Sequence, residues 1–206
     1  MNLNEIENKA CWDPDKKNSR VELKKGISAK VKYINIEYLV QDKVQSQVGI
    51  VKKISTNLTK KDILGGVGIR LNINRNNYAV EPGLYAIGSP DENSPVFVSA
   101  NYKFTFDKLR KELVSLNIWL LIIDTKGINV WCAAGKGTFS EQGILKAMRA
   151  TKLDKVVKNK MLILPQLAAP GVSAHMITKY TGFKVIYGPV AAEDIRIFAK
   201  GIWDYT

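Results

Sequence analysis

A cysteine beside a tryptophan, within Asn129-Val130-Trp131-Cys132-Ala133-Ala134-Gly135-Lys136, is the densest chemistry in this 206-residue chain. The stretch follows an apolar run over residues 117–123 and a polar turn, Asp124-Thr125-Lys126-Gly127-Ile128. Asn129 is a good N-cap residue, so a short helix is expected to start there and to close at Gly135. Cys132 then falls in the first helical turn, where free N–H groups and the helix dipole favour a thiolate. Lys126 and Lys136 add positive charge. A thiolate so placed suits a nucleophile or a metal ligand. The plainer alternative is a small buried residue filling a strand-to-helix junction, since free cysteine is among the most buried residue types. Chemistry alone leaves both open.

Other constellations fail. The run Gly135-Lys136-Gly137-Thr138 suggests a phosphate loop, but GxxxxGK followed by Ser or Thr needs Gly at position 130 and a hydroxyl at 137, where Val130 and Gly137 stand. Gly66-Val67-Gly68 lacks the third glycine of a dinucleotide fingerprint. A Cys–His pair would have to use His175, the sole histidine. The second cysteine, Cys11, lies in a polar lead-in, and without a CxxC the chain cannot by itself hold an iron–sulfur cluster. The two cysteines suggest no disulfide framework, and reducing cytoplasm is the natural compartment.

The elements that must position Cys132 follow from periodicity. Residues 1–20 read as an arm and residues 31–40 as a strand of mixed alternation. Gly65-Gly66-Val67-Gly68 reads as a turn or linker. A boundary there gives an N-terminal arm and β-rich extension, residues 1–69, and a main domain, residues 70–206. Within the latter, short strands are expected at 84–88 and 95–100. A helix over 104–116 places Phe106, Leu109, Leu113 and Leu116 on one face, with Asp107, Lys108, Arg110 and Lys111 between them. A strand at 117–124 is apolar enough to be covered on both faces. Thr138-Phe139-Ser140-Glu141 has the form of a capping box opening a helix to residue 152. Then come a strand at 160–167, a loop at 168–171, a helix at 172–180, a strand at 183–187, and a final helix at 191–203 opened by Glu193 and Asp194. The alternation predicts an α/β fold: a mostly parallel sheet with helices on both faces. In such sheets ligands bind beyond the carboxyl ends of the strands, here residues 100–102, 124–136, 165–171 and 188–190.

Composition bounds the rest. Hydrophobic residues make up 46% and charged residues 24%, an ordinary globular balance. No apolar run approaches the roughly 20 residues of a membrane span, and no signal peptide is expected from the first residues, which lack a basic stretch followed by an apolar one. The net charge of +12 favours anionic partners. A solvated basic surface is the simpler reading of it, and of the winding run Lys146, Arg149, Lys152, Lys155, Lys158 and Lys160.

The string 129–136 resembles the cap-helix signature of the mercury-methylating corrinoid protein family, which is related to the large subunit of the acetyl-CoA pathway corrinoid iron–sulfur protein. The likeness extends through Pro82-Gly83-Leu84-Tyr85-Ala86, Ala100-Asn101-Tyr102-Lys103, Asp124 to Ile128, Gly137-Thr138-Phe139, Pro165-Gln166-Leu167, Ala169-Pro170-Gly171-Val172 and Tyr187-Gly188-Pro189-Val190, in family order from about residue 70. The resemblance implies a Rossmann-like domain holding a corrinoid (a cobalamin-type cobalt cofactor), with Cys132 as the lower axial ligand of cobalt. It implies that cobalt takes a methyl group from a methyltetrahydrofolate-linked donor and passes it to Hg(II), giving methylmercury. It implies a ferredoxin-like reductant with two 4Fe–4S clusters. Trp131 would shield the ring; Val130, Ala133, Ala134 and Gly135 would let it lie against backbone; Asn129 and Lys136 would hydrogen-bond its side-chain amides. Thr125, Gly127, Gln166, Gly171 and Gly188 would complete the frame. The family carries membrane-spanning helices after this domain and this chain does not, so a soluble relative or a fragment ending at Thr206 is expected, cytoplasmic or at the inner membrane face. The acetyl-CoA pathway relative carries its own N-terminal cluster cysteines, missing here, and residues 1–69 match no block. A corrinoid methyl carrier of one-carbon metabolism without mercury activity is the alternative in the same chemistry. A non-catalytic basic Rossmann-like module is the alternative outside it; no nucleic-acid partner is expected.

Overall fold

A computed structural model of the protein describes residues 31–73 and 78–203. The arm predicted over 1–20 and Cys11 lie outside them. The elements below belong to one compact unit that begins at Val31.

In chain order they are β1 (Val40–Ser46), β2 (Gly49–Ile54), α1 (Lys60–Arg70), β3 (Gly83–Ile87), β4 (Val96–Ala100), α2 (Lys103–Glu112), β5 (Ile118–Ile123), α3 (Val130–Gly135), α4 (Glu141–Thr151), α5 (Leu153–Val156), β6 (Met161–Leu164), α6 (Ala174–Thr181), β7 (Lys184–Tyr187) and α7 (Ile195–Trp203). The strands form one sheet in the order β1-β2-β3-β5-β4-β6-β7. β1 with β2 and β3 with β5 pair antiparallel; the other pairings are parallel. The predicted α/β class, with a mostly parallel sheet, is what the chain forms. The β1–β2 hairpin, from the segment before residue 70, extends the same sheet through β2 and β3.

β5 explains the two-sided core. All six of its residues are buried. Successive side chains of a strand point to opposite faces. Ile118, Leu120 and Ile122 join Phe106, Leu109 and Leu113 of the α2 side, while Trp119, Leu121 and Ile123 join Phe139, Ile144 and Met148 of the α4 side. Thus α2 and α7 cover one face and α3 to α6 the other. The parallel strands run β5-β4-β6-β7, so successive connections leave β4 in opposite directions. Such a reversal opens a crevice at the carboxyl ends, between the loops after β4 and β6.

Several predicted elements are corrected. Residues 31–40 are not one strand. Ile34 N–H pairs with the Ala79 carbonyl at 2.8 Å, and the Asn35 side chain accepts the Glu37 N–H at 2.8 Å, turning the chain into a 3-10 turn at Glu37–Leu39. A side chain that offers the backbone a local acceptor competes with strand pairing. Gly65-Gly66-Val67-Gly68 is no linker but part of α1, which starts at a capping box between Thr59 and Asp62. Small residues there allow close packing: a Cβ on Gly66 would stand 3.3 Å from the Phe104 ring. α4 is capped by Ser140, whose hydroxyl accepts the Gly143 N–H, and not by Thr138. β6 ends at Leu164, and Gln166–Gly171 forms a 3-10 turn.

The charged residues of α2 hold the largest surprise. Asp107 and Arg110 do not face solvent; with Lys103 and Asp62 they form a buried cluster of two cations and two anions. Lys103 pairs with Asp62 at 2.7 Å and also with Asp107. The Arg110 guanidinium reaches Asp62 at 2.7 Å and Asp107 at 2.8 Å, and donates to the carbonyls of Ser55 at 2.6 Å and Asn57 at 2.8 Å. Tyr38 O–H donates to Asp62 at 2.7 Å. Burial works to raise Asp62, but hydrogen bonds from Lys103, Tyr38 and Thr59 outweigh it and hold the carboxyl below its ordinary range. At Asp107 burial prevails over the cations and the carboxyl is pushed up. The cluster clamps α1, α2 and the β2–α1 loop together. Removing one partner of a buried pair strands the other charges. Arg110→Met should therefore cost about 3–5 kcal/mol in urea unfolding; a loss below about 1 kcal/mol, the level of an exposed pair, would contradict the burial.

Candidate functional site

The route from β5 to Cys132 is built by one buried side chain. Asn101, at the carboxyl end of β4, is fully buried. Its carboxamide oxygen accepts the Thr125 N–H at 3.1 Å and the Gly127 N–H at 3.0 Å. Its amide nitrogen donates to Asp124 at 3.3 Å. The turn so gripped passes through two left-handed residues, Lys126 (φ 61°) and Gly127 (φ 70°). The Thr125 hydroxyl closes it with a 2.6 Å bond to the Ile128 carbonyl. Lys126 pairs with Asp124 at 2.9 Å, so its charge is locally balanced, contrary to the expectation that it would add to the field at Cys132. Burial alone would raise Asp124; hydrogen bonds from the Lys126 backbone and ammonium and from Asn101 prevail and hold it below the usual carboxylate range.

Asn129 then caps α3 as expected, its side-chain oxygen accepting the Cys132 N–H at 2.9 Å. Val130, Ala133 and Ala134 are buried, while Trp131, Cys132, Gly135 and Lys136 are exposed. At 3.6 residues per turn these sets occupy opposite sides of one short helix. Trp131 is 67% exposed. Cys132 is a free, exposed thiol, which removes the buried-filler alternative. The helix ends at Gly135, as expected, and the motif that stops it lies just beyond. The Thr138 N–H reaches the Ala133 carbonyl at 2.9 Å and the Gly137 N–H the Ala134 carbonyl at 3.1 Å, with Gly137 left-handed at φ 72°. That pattern is a Schellman stop, and Gly137 is its glycine.

The small residues divide by what they touch. A Cβ on Gly171 would stand 2.7 Å from the Phe139 carbonyl oxygen and 2.8 Å from Ala134 Cα and oxygen, so Gly171 is where the cap helix rests. Around Gly135 nothing lies within 4 Å of such a Cβ. Gly127 comes close to Ala79, at 3.1 Å, and Gly188 is buried with ordinary contacts near 3.5 Å. Gln166 and Lys136 are exposed, and Thr125 is buried. Tyr187 O–H, at the end of β7, donates to the Val172 carbonyl at 2.8 Å and ties that strand to the segment beneath the helix.

A cavity of about 640 Å³ opens along α2 and reaches the loops at the carboxyl ends of the strands. Asn129, Val130 and Trp131 line it, with Tyr102 after β4, Pro165 and Leu167 after β6, and Gly188, Pro189 and Val190 after β7. Three exposed apolar side chains, Trp131, Leu167 and Val190, come from three of these loops. His175 is exposed near the start of α6, and among the described residues no hydrogen bond joins its side chain to Cys132. Nor do His, Cys, Asp and Glu form a metal-binding group among those residues. The arrangement therefore offers one thiol on an open, partly apolar platform.

The family described as CO dehydrogenase/acetyl-CoA synthase delta subunit matches residues 29–199. The chain belongs to that family. The acetyl-CoA decarbonylase/synthase complex subunit gamma of Archaeoglobus fulgidus is 32% identical over 146 residues, 68% of this chain and 31% of that protein. The subunit of the same name from Methanopyrus kandleri is 39% identical over 123 residues, 59% of this chain and 26% of that protein. The corrinoid/iron-sulfur protein large subunit of Moorella thermoacetica is 37% identical over 123 residues, 59% of this chain and 27% of that protein. The chain thus spans about a quarter to a third of the length of these relatives. The family match begins well before residue 70 and takes in β1, β2 and α1. No helix among the described residues is long and apolar enough to cross a membrane.

Because Gly171 faces backbone atoms and not mobile side chains, Gly171→Ala should lift the cap helix. We expect about 1–3 kcal/mol lost in unfolding, as for overpacking, and faster alkylation at Cys132. Gly188→Ala, with contacts near 3.5 Å, should change neither.

Proposed function

We propose that this chain is the corrinoid-binding domain of a methyl carrier in one-carbon metabolism, with Cys132 as the lower ligand of cobalt. The observation that carries the reading is the exposed thiol on the outward side of a helix whose inward side is seated on Gly171. Support comes also from the corrinoid/iron-sulfur large subunit among the relatives. A corrinoid needs an accessible soft donor, open backbone and an apolar rim. Cys132, the free space at Gly135, and Trp131 with Leu167 and Val190 meet those needs. The bound cofactor would supply a cobalt centre able to accept and donate a methyl group.

The chain's own residues have distinct tasks. Cys132 would give a thiolate donor, which suits a borderline metal and would make it richer in electron density. Trp131 would cover part of the ring and keep water from it. Asn129 already fixes the Cys132 backbone, and exposed Lys136 would hydrogen-bond the ring's peripheral amides. Gln166 and the Gly188-Pro189-Val190 loop would frame the periphery. Val130, Ala133 and Ala134 would act by seating the helix, and Thr125 and Gly127 by shaping the turn before it. The partners would be a methyltetrahydrofolate-linked donor and a ferredoxin-like reductant with two 4Fe–4S clusters, in a reducing cytoplasm. A second reading takes Hg(II) as the acceptor; the Trp131-Cys132 pair within the 129–136 signature favours it.

Cobalamin added to the full chain should give a thiolate–cobalt absorption band that Cys132→Ala removes. Identical spectra for the two proteins would end the axial-ligand role. Gly135→Ala should leave stability within about 0.5 kcal/mol, as for an open surface site, yet weaken cobalamin binding. The acceptor is decided separately: methylmercury formed from Hg(II) under reducing conditions supports the second reading, and methyl transfer only to other acceptors excludes it.

A further inference from the structure

We infer that Asn101 is the positioning residue for the Cys132 thiol, acting from the end of β4 on the turn after the neighbouring β5; this rests on Cys132 being the working group of the site. A single buried carboxamide organises the turn before the cap helix. The two N–H donors of Thr125 and Gly127 both need an acceptor, and Asn101 supplies the one oxygen that serves both, at 3.1 and 3.0 Å. An acceptor lost there would leave two N–H groups unpaired, one of them on a left-handed residue. The constraint then passes through bonded neighbours. Thr125 holds Ile128, through the hydroxyl at 2.6 Å and a backbone bond at 3.2 Å. Asn129 follows at once and accepts the Cys132 N–H at 2.9 Å. Asn101 is itself fixed, because its carbonyl accepts the Val80 N–H at 2.8 Å. Its own side chain is fully buried and so meets no ligand directly. Its effect on the site is therefore indirect, exerted through where the helix begins.

The amide nitrogen adds a selective handle. It donates to Asp124, whose other partner among the described residues is Lys126; Tyr33 also interacts with that carboxylate, and Glu81 with Tyr33. Asn101→Asp keeps the oxygen that both N–H groups need but sets one carboxylate against another. Below the pH at which the pair shares a proton, that proton replaces the lost donation and the turn is kept. Above it, repulsion opens the turn.

The test uses the full chain without corrinoid. Amide hydrogen exchange at Gly127 and Cys132 and alkylation of Cys132, resolved by peptide so that Cys11 does not interfere, are followed beside urea unfolding. For Asn101→Ala we expect exchange at both amides and the alkylation rate to change by about fivefold or more, the scale of one lost hydrogen bond. Asn101→Asp should match wild type at acid pH and approach Asn101→Ala as pH rises, which a purely packing role would not produce. Unchanged Cys132 behaviour in Asn101→Ala would overturn the inference. So would an equal change in Ile195→Val, a core substitution elsewhere. Should Asn101→Ala fail to fold, the pH series on Asn101→Asp decides alone. The outcome is independent of cofactor identity: a shifted Cys132 together with a cobalamin spectrum indifferent to Cys132→Ala would keep the positioning role and end the ligand role.

Discussion

The cap helix can turn Cys132 outward only because its other side has somewhere to rest. That place is Gly171, where no side-chain carbon fits between the turn and the backbone of Ala134 and Phe139. A six-residue helix makes too few internal hydrogen bonds to stand alone in water. Its stability is borrowed from the Asn129 cap, the Schellman stop at Gly137 and the close seat below. With those three constraints satisfied, the remaining side of the helix is free of structural duty, and that side carries Trp131, Cys132, Gly135 and Lys136. The separation of a seated side from an open side lets a reactive residue stay exposed without loosening the fold.

The platform beneath is rigid for reasons of its own. β5 is buried on both faces, so a one-residue shift of register would exchange Ile118, Leu120 and Ile122 with Trp119, Leu121 and Ile123 and break the packing on both sides. On the α2 side, the Asp62–Lys103–Asp107–Arg110 cluster replaces part of what would otherwise be an apolar interface between helices. Such clusters add little net stability over hydrophobic packing, yet turning α2 out of this arrangement would strand buried charges. Here that arrangement orients α2, which lines the same cavity as the cap helix does. The site is therefore framed by a strand that cannot slip and a helix that cannot rotate.

Much of this was legible from residue patterns. The strands and helices after residue 95, the carboxyl-end location of the loops and the Asn129 cap follow from periodicity and capping chemistry, which are local. What was not legible is long-range. Asn101 is an unremarked polar residue until β4 and β5 are laid side by side. Asp107 and Arg110 look like the solvent side of an amphipathic helix, and Lys103 falls just before its expected start, until Asp62 arrives from α1, 41 residues away from Lys103. Their spacing of four and three residues puts all three on one side of α2, and that is the signal that could have marked them. Gly65 to Gly68 misled because glycine is weighed as a helix breaker, whereas packing against Tyr78 and Phe104 outweighs propensity.

Exposure also bears on what the platform is for. A soluble surface rarely keeps a tryptophan two-thirds exposed without use, and scattered single apolar residues need no explanation. Trp131, Leu167 and Val190 are not scattered in the fold: they stand on the loops after β5, β6 and β7, at the sheet end where Cys132 also lies. A small polar ligand would not need apolar contacts from three separate loops, and a lone thiol gives no reason for them. A broad, flat ligand with a metal at its centre would use both features together, the loops for its periphery and the thiol for its axis. The corrinoid reading accounts for the exposed rim and the exposed thiol by one cause, where the basic-module alternative leaves each unexplained.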